Sequence, residues 1–212
     1  GIANPRNPKY FIGERLLVRE ITNPTIFAAL TEDELYNDPS LLIIKSNAQY
    51  TVKPILGILN SKLASYYHFN NSPKATKGAF PKILIKDLKE FPIPRNFEDL
   101  KLLAVLVDYV LMIYKQSKLG TDKSTVINDF EDIIDALVFE LYFPDDFKEK
   151  NIEIAKYAEE LFKPLEGLAE EEQLATIEKV YNNYREKINP LRNQIKLMKI
   201  ELSELLLPIL SI

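Results

Sequence analysis

The sequence PSLLIIKSNAQYTVKPILGILNSKLASYYHFNNSPKATKGAFPKILIK, residues 39–86, determines how the rest of the chain is interpreted. It contains no Asp or Glu, although 31 of the 212 residues are acidic and about seven acids would be expected in a stretch of this length. Its basic side chains are Lys45, Lys53, Lys62, His68, Lys74, Lys77, Lys82 and Lys86. Because phosphate repels carboxylates and attracts ammonium groups, the pattern predicts a polyanionic partner such as DNA. An α/β segment with an ordinary basic surface explains the pattern equally well.

The composition of the chain limits the classes of protein to which it can belong. With 46% hydrophobic and 27% charged residues it is typical of a globular protein, and about 70% of its surface should be buried on folding. It has no cysteine and one histidine, which excludes disulfides, thiolate zinc sites and histidine metal clusters. This composition fits a cytoplasmic protein, and we expect that location. The most apolar run, residues 102–114, contains Asp108 and is too short to span a bilayer, so we expect no membrane association.

Two halves of opposite charge predict two domains. Residues 1–98 contain 13 Lys or Arg and 9 Asp or Glu, a net charge of +4, and the remaining 14 and 22 give residues 99–212 a net charge of −8. Between them, the two prolines of Phe91-Pro92-Ile93-Pro94 forbid a regular helix and a central strand. We therefore predict an α/β domain over residues 1–96 and a helical domain over residues 97–212. The basic first half suits contact with nucleic acid, which would repel the acidic second half.

The pattern of apolar and turn residues in the first half predicts a small mixed α/β domain. Short runs rich in aliphatic and β-branched residues predict strands at residues 15–21, 25–30, 41–45 and 82–85. The run LLIIK, Leu41 to Lys45, is apolar almost throughout, which suits a strand covered on both faces. Apolar residues at helical spacing predict one helix over residues 52–68, and a polar loop follows over residues 70–79. The whole chain is therefore predicted to be α+β.

The second half is predicted to be all helical, with a long heptad pattern at its end. Helices are expected over residues 100–114, 126–141 and 148–162. Apolar residues then alternate steps of three and four at Leu174, Ile177, Tyr181, Tyr184, Ile188, Leu191, Ile195, Met198, Leu202, Leu205 and Ile209. We expect one long helix kinked at Pro190, with a helical hairpin as the second choice. The seam suits either a coiled-coil partner, which would allow self-association, or packing within its own bundle.

No catalytic site is evident in the sequence. Pro144-Asp145-Asp146-Phe147-Lys148 resembles the carboxylate-and-lysine pattern of metal-dependent nucleases, but its acids are adjacent and stand where a helix should begin. An N-cap role for Asp145 or Asp146 is therefore the preferred interpretation. His68 has no acid nearby in sequence to orient it as a base, so we expect a partly exposed structural or DNA-facing histidine. Gly57 and Gly78 stand alone and form no phosphate-binding loop.

Binding is the remaining possibility, and the basic stretch supplies its candidates. Lysines contact phosphate and guanine acceptors, while asparagine and glutamine amides pair with adenine edges. The loop around Gly78 carries lysines on both sides, and its glycine would let the backbone approach a ligand closely. The predicted DNA-binding residues are Arg15, Arg19, Lys45, Asn47, Lys53, Asn71, Lys74, Lys77, Gly78, Lys82 and Lys86.

Three tracts of the chain resemble a known family. They are Ile55-Leu56-Gly57-Ile58-Leu59-Asn60-Ser61-Lys62-Leu63, then Lys77-Gly78-Ala79-Phe80-Pro81-Lys82-Ile83 with Phe91-Pro92-Ile93-Pro94, and Ile134-Asp135-Ala136-Leu137-Val138-Phe139-Glu140-Leu141-Tyr142. In this order they are similar to the C-terminal specificity domain of TaqI-like adenine-N6 DNA methyltransferases and their type IIG restriction–modification relatives. The resemblance covers roughly residues 10–145.

The resemblance implies a target recognition domain that reads a short sequence of double-stranded DNA. It also implies a partner methyltransferase domain upstream in the parent chain, with S-adenosylmethionine as its cofactor and magnesium if the parent also cleaves DNA. This sequence lacks the Asn-Pro-Pro-Tyr motif of such domains, so we expect no cofactor and no enzyme activity in the fragment itself. The first residue, Gly1, is consistent with a piece of a longer protein. A helical scaffolding module without DNA binding is the alternative function, and a metal-dependent nuclease is a third.

Overall fold

A computed structural model describes residues 7–22, 25–48, 50–76, 81–94, 97–116 and 122–212 of the chain. The chain divides into two compact units, residues 1–93 and residues 94–211. The first contains a three-stranded sheet with helices, and the described residues of the second form helices alone, so the predicted α+β class is confirmed. The division lies between Ile93 and Pro94. The α/β and helical domains over residues 1–96 and 97–212 stay a prediction.

The sheet of the first unit is antiparallel, with the strand order β2-β1-β3. Its strands are β1 (Arg15–Arg19), β2 (Ala28–Thr31) and β3 (Leu41–Lys45). Alternation along β1 places Leu16 and Val18 on the core face, where each is 0% exposed, and leaves Arg19 exposed on the other face. A helix, α1 (Val52–Asn60), packs on β1 and β2 and buries its own apolar side against the sheet.

The predicted helix over residues 52–68 is in fact two helices, which corrects the sequence interpretation. α1 ends at Asn60, and α2 (Lys62–Asn71) begins after Ser61, whose backbone is extended. Ser61 interrupts the helix because its hydroxyl accepts a hydrogen bond from the Ala64 N–H at 3.2 Å and donates one to the Ile58 carbonyl at 2.6 Å. The described residues of the unit also contain two short helices, α3 (Pro73–Thr76) and α4 (Ile85–Glu90), and a turn of 3₁₀ helix at Pro8–Tyr10.

The break between α1 and α2 places Asn60 against the outer edge of β2. Its side-chain amide donates to the Ala28 carbonyl at 2.9 Å and accepts from the Ala28 N–H at 2.8 Å. One turn into α2, the Ser65 hydroxyl accepts from the Ile26 N–H at 3.1 Å. Two side chains of the helices thus satisfy backbone groups of β2 and of the residues just before it. Through Asn60, the tract ILGILNSKL attaches the junction of α1 and α2 to the sheet.

Two strand predictions in the first unit are wrong. The LLIIK strand β3 is at the sheet edge, and its apolar side chains are partly exposed, so it is not covered on both faces. Residues 82–85 form only an isolated bridge between Lys82 and Ile21, because α4 already begins at Ile85. The predicted polar loop over residues 70–79 contains α3, and its residues 77–79 lie outside the described residues.

The second unit is a helical bundle in its described residues. Its helices are α5 (Phe97–Lys115), α6 (Lys123–Tyr142), α7 (Pro144–Glu149), α8 (Ile154–Leu161), α9 (Glu170–Arg185), α10 (Pro190–Glu201) and α11 (Ser203–Leu210). Aromatic rings from several helices meet edge to face in its core: Phe130 lies 6.0 Å from Tyr109, 5.4 Å from Phe162 and 6.0 Å from Tyr181, between ring centroids. No described helix is long and apolar enough to cross a membrane.

The expected long helix kinked at Pro190 is wrong, because α9 ends at Arg185 and α10 starts afresh at Pro190. The Asn189 side chain caps α10 by accepting from the Arg192 N–H at 3.0 Å. Most of the heptad seam is buried within the unit, whereas Ile188, in the break, is 86% exposed. Among the described residues, the seam therefore serves the unit's own core.

We predict that Asn60→Ala lowers the free energy of unfolding by about 1–3 kcal/mol, because the N–H and carbonyl of Ala28 lose their partners in a partly buried position. Asn70→Ala is the matched control, since among the described residues the exposed Asn70 amide donates to the Tyr66 carbonyl of its own helix turn. This variant should cost less than about 0.5 kcal/mol. Urea denaturation measures both. Equal costs for the two variants would contradict the proposed role of Asn60.

Candidate nucleic-acid interface

A second segment of the basic stretch, residues 81–83, pairs with residues 20–22, which directly follow β1. The Thr22 N–H donates to the Pro81 carbonyl at 2.9 Å, and the Ile83 N–H donates to the Glu20 carbonyl at 2.9 Å. The Lys82 N–H in turn donates to the carbonyl of Lys74 at 3.1 Å. Residues 81–83 therefore lie between the end of β1 on one side and α3 on the other.

This pairing relates Arg19, Lys74 and Lys82 to one segment, and Lys86 follows in the first turn of α4. We call these four residues the basic cluster. Arg19 belongs to it because its Nε donates to the Ile21 carbonyl at 2.9 Å, next to the bridge between Ile21 and Lys82. The side chains of Arg19, Lys74 and Lys86 are exposed, and that of Lys82 is 42% exposed. Sequence spacing gave no indication that Arg19 and Lys82 are neighbours.

Two acids and an aromatic ring contact cations of the basic cluster. Lys82 Nζ lies 3.3 Å from a Glu20 carboxylate oxygen, and Lys86 Nζ lies 3.8 Å from Glu90 one helical turn away. The pair of Lys86 and Glu90 is solvent-exposed, so it stabilises the fold by less than about 1 kcal/mol and can be exchanged for a phosphate contact. The pair of Lys82 and Glu20 is partly buried. The Arg19 guanidinium lies over the exposed ring of Phe27, 5.6 Å from its centroid.

Two polar residues, His68 of α2 and Asp87 of α4, make hydrogen bonds close to the segment of residues 81–83. His68 is 3% exposed, and its Nε2 lies 3.4 Å from the hydroxyl of Thr22, which is 0% exposed. The carboxylate of Asp87 accepts from the Leu84 N–H at 2.8 Å and from the Ser72 hydroxyl at 3.1 Å. Burial lowers the pKa of His68 from its ordinary value, and the charge of Asp87 and a hydrogen bond with the Lys82 backbone oppose this shift in part. The prediction of a partly exposed His68 is therefore wrong.

Other predicted residues lie away from the basic cluster. Lys45 pairs with Arg15 at the opposite end of β1 from Arg19, about 13 Å away at the usual rise of a strand. Its Nζ donates to the carbonyls of Lys9 at 3.0 Å and Ile12 at 2.8 Å. Near it, the Asn47 side chain accepts from the Tyr50 N–H at 2.8 Å and closes a turn. The predicted basic site is therefore divided between two ends of the sheet.

Two further residues predicted to bind DNA, Lys53 and Asn71, lie on helices. Lys53 is half-buried in the first turn of α1. The Asn71 amide is exposed and donates to the Tyr67 carbonyl at 2.8 Å, at the end of α2. Lys77 and Gly78 lie outside the described residues. The assignment of DNA contacts to these four residues stays a prediction.

Arg15 is withdrawn from the candidate interface because its position leaves no route to a ligand. The residue is 0% exposed, and its guanidinium donates to the carbonyls of Gly13 at 2.9 Å, Asp33 at 2.8 Å and Leu35 at 3.3 Å. A buried guanidinium that is hydrogen-bonded to three carbonyls holds the loop of residues 33–35 on the sheet. The i and i+4 spacing of Arg15 and Arg19 on one strand concealed this difference in environment.

The nuclease-like tract of the second unit also differs from its N-cap interpretation. Asp145 and Asp146 are in the first turn of α7, after Pro144, and the N-cap position belongs to Phe143. Both acids are exposed there, where a helix N-terminus favours negative charge. Among the described residues, no group of three or more His, Cys, Asp or Glu side chains could hold a metal ion.

Sequence reasoning missed two acids that border the basic cluster. Asp87 is the first acid after the acid-free stretch and stands in the first turn of α4, where a carboxylate accepts from the Leu84 N–H; acids favour such positions, so a weak signal for its role was available. Glu20 gave no such signal, because 62 positions separate it from Lys82. Both acids help to hold the segment of residues 81–83.

The described geometry defines a small α+β unit with a basic cluster at one end of its sheet. Residues 1–93, which coincide with this unit, match the TaqI-like C-terminal specificity domain. The family resemblance stated from the sequence is therefore confirmed for this part of the chain. The match ends before residues 134–142, which had been included in the resemblance.

A similar protein is known from Methanocaldococcus jannaschii, and it bears the name of a type II restriction enzyme and methyltransferase. The two sequences are 28% identical over 182 residues, an alignment that covers 72% of this chain and 15% of the relative. The chain thus corresponds to a small part of that protein. No solved structure matches the chain at a significant level.

We predict that acidification destabilises the first unit through His68. The pKa of His68 is lowered in the folded state, so the unfolded state binds a proton first as pH falls below the ordinary histidine pKa, and protons favour unfolding. Stability should therefore decrease between about pH 7.5 and pH 5, by up to about 1.4 kcal/mol for each unit of pKa difference. Urea denaturation across this range tests the prediction.

His68→Gln is the control for this pH dependence, because an amide can still reach the Thr22 hydroxyl but does not titrate. The unfolding free energy of the variant should lack the part of the slope that histidine contributes. Parallel pH profiles for the two proteins would refute the assignment, whatever their absolute stabilities.

Proposed function

We propose that this chain is the DNA target recognition portion of a restriction–modification enzyme and that its first unit reads a short duplex sequence. The observation that carries the proposal is the match of a specificity domain to residues 1–93, the compact unit that presents the basic cluster. The cluster is suited to phosphate, because its exposed cations come from three different elements and adjoin one paired segment.

The direction of β1 supports a duplex lying along the sheet. Its two ends, marked by Arg19 and Lys45, are separated by about 13 Å, which corresponds to about four base pairs at 3.4 Å each. Phosphate contacts at the basic cluster would fix the register of the unit on the duplex, and Lys45 at the other end of the strand would contact a base edge. The amides of Asn47 and Asn71 would then be candidates for reading base edges.

The proposed parent protein is an adenine-N6 DNA methyltransferase of the type IIG kind, with or without DNA cleavage, that acts in the cytoplasm in defence against phage. Its methyltransferase domain, with S-adenosylmethionine and any magnesium, would belong to the part of the protein outside this chain. The similarity to a protein named as a restriction enzyme and methyltransferase supports this proposal. In it, the helical second unit would dock or space the catalytic domain, and the fragment itself would not be an enzyme.

Salt dependence tests DNA binding by the full chain. If each of the four cations of the basic cluster neutralises one phosphate, log affinity for a mixed-sequence duplex should fall against log salt with a slope of about −4, at 0.9 per contact. The double variant Lys74→Ala/Lys82→Ala should reduce the slope to about −2. Fluorescence anisotropy over a range of salt concentrations measures both.

The control is Lys148→Ala/Lys196→Ala, which removes two exposed lysines of the second unit and should leave the slope unchanged. Weak binding without salt dependence would favour the scaffolding module instead. Cleavage of the duplex by the isolated chain in the presence of magnesium would favour the nuclease.

A further inference from the structure

The carboxylate of Asp87 joins Ser72 and Leu84, the two ends of the segment that carries Lys74 and Lys82. Ser72, which donates its hydroxyl to Asp87 at 3.1 Å, precedes α3, and Leu84, which donates its N–H to the same oxygen at 2.8 Å, precedes α4. Both donors bind one carboxylate oxygen, and charge-assisted hydrogen bonds of this kind are about twice as strong as neutral ones. The carboxylate therefore fixes the distance between the start and the end of the segment.

The same segment is held at two further points. The backbone N–H of Lys82 donates to the Lys74 carbonyl at 3.1 Å, and the Ser72 N–H donates to the His68 carbonyl at 2.9 Å. Ser72 is itself 7% exposed, and its hydrogen bonds to His68 of α2 and to Asp87 fix its position. Movement of either end of the segment would change the separation of the two lysines.

We infer that Asp87 is a positioning residue for DNA recognition: through Ser72 and Leu84 it holds Lys74 and Lys82 at the separation at which both contact phosphates of one duplex. This inference rests on the proposed function. Asp87 is partly buried beneath the cluster and its carboxylate is occupied by two protein donors, so it does not itself bind DNA.

Two effects of removing Asp87 have opposite signs, which makes the inference testable. Removal of a negative charge near a polyanion site by itself tightens DNA binding and leaves the number of phosphate contacts unchanged. Loss of the two hydrogen bonds releases the segment, so the lysines no longer engage phosphates together. The inference predicts that the second effect prevails.

The experiment measures the salt dependence of binding of the full chain to a mixed-sequence duplex for Asp87→Ala and Asp87→Asn. Asp87→Ala should weaken binding at least about fivefold at low salt and reduce the slope from about −4 toward about −2, with every lysine still present. Asp87→Asn should retain most of the affinity and the full slope, because its amide oxygen can take the place of the carboxylate oxygen that accepts from both Leu84 and Ser72.

Glu90→Ala is the matched control, since it removes an acid from the same helix, three residues away. Its carboxylate pairs only with the exposed Lys86 in the described structure, so the variant should bind DNA as tightly as the wild-type chain or more tightly, with an undiminished slope. If Asp87→Ala does not fold, Ser72→Ala replaces it. That variant keeps the hydrogen bond between Asp87 and Leu84 and should show the same change of slope in smaller measure.

A double variant shows whether Asp87 acts through the lysines. In a chain that already carries Lys74→Ala/Lys82→Ala, Asp87→Ala should have little further effect on the slope. The inference is overturned if Asp87→Ala binds as tightly as Glu90→Ala with the full slope, or if Asp87→Ala and Asp87→Asn behave alike. If the wild-type chain itself shows no salt-dependent binding, the proposed function fails first and the inference falls with it.

Discussion

The pairing of residues 81–83 with the end of β1 is the interaction on which the candidate interface depends. Two backbone hydrogen bonds, from Thr22 to Pro81 and from Ile83 to Glu20, bring a segment from late in the first unit beside its first strand. Without this pairing, Lys74 and Lys82 would have no fixed relation to Arg19. His68, which is buried, contacts the Thr22 hydroxyl, and Asp87, which is partly buried, accepts from the Leu84 N–H and the Ser72 hydroxyl. These side chains satisfy polar groups that the connection would otherwise leave unpaired.

Elsewhere in the first unit, too, side chains form hydrogen bonds with backbone groups that the short sheet leaves unpaired. Asn60 satisfies the edge of β2. Arg15 satisfies the carbonyls of Asp33 and Leu35 in the loop and of Gly13 before β1. A three-stranded sheet of four- and five-residue strands buries little surface by itself, so such polar contacts define its geometry. The second unit differs, because its helices meet through an aromatic core around Phe130.

Local features of the fold were predictable from sequence, and long-range ones were not. Residues 41–45 have the bounds of β3, because a short apolar run between polar residues is a local signal. The position of β3 at the edge, the burial of Arg15 and the contact of Asn60 with Ala28 depend on residues far apart in the chain, which periodicity does not report. The heptad seam was ambiguous for a physical reason: the same apolar spacing serves a partner helix or the unit's own core, and here the core uses most of it. For the candidate site, the acid-free stretch identified Lys74, Lys82 and Lys86 of the basic cluster. It did not identify Glu20 or Asp87.

The central claim is that duplex DNA lies on the basic cluster of the first unit, and lysine footprinting tests it most directly. The full chain is acetylated briefly at low salt with and without a mixed-sequence duplex, and mass spectrometry measures the modification of each lysine. The account predicts that the duplex protects Lys74, Lys82 and Lys86 while Lys148 and Lys196 in the second unit react as before. Protection of the second unit alone, or of no lysine in a chain that binds the duplex, would contradict it.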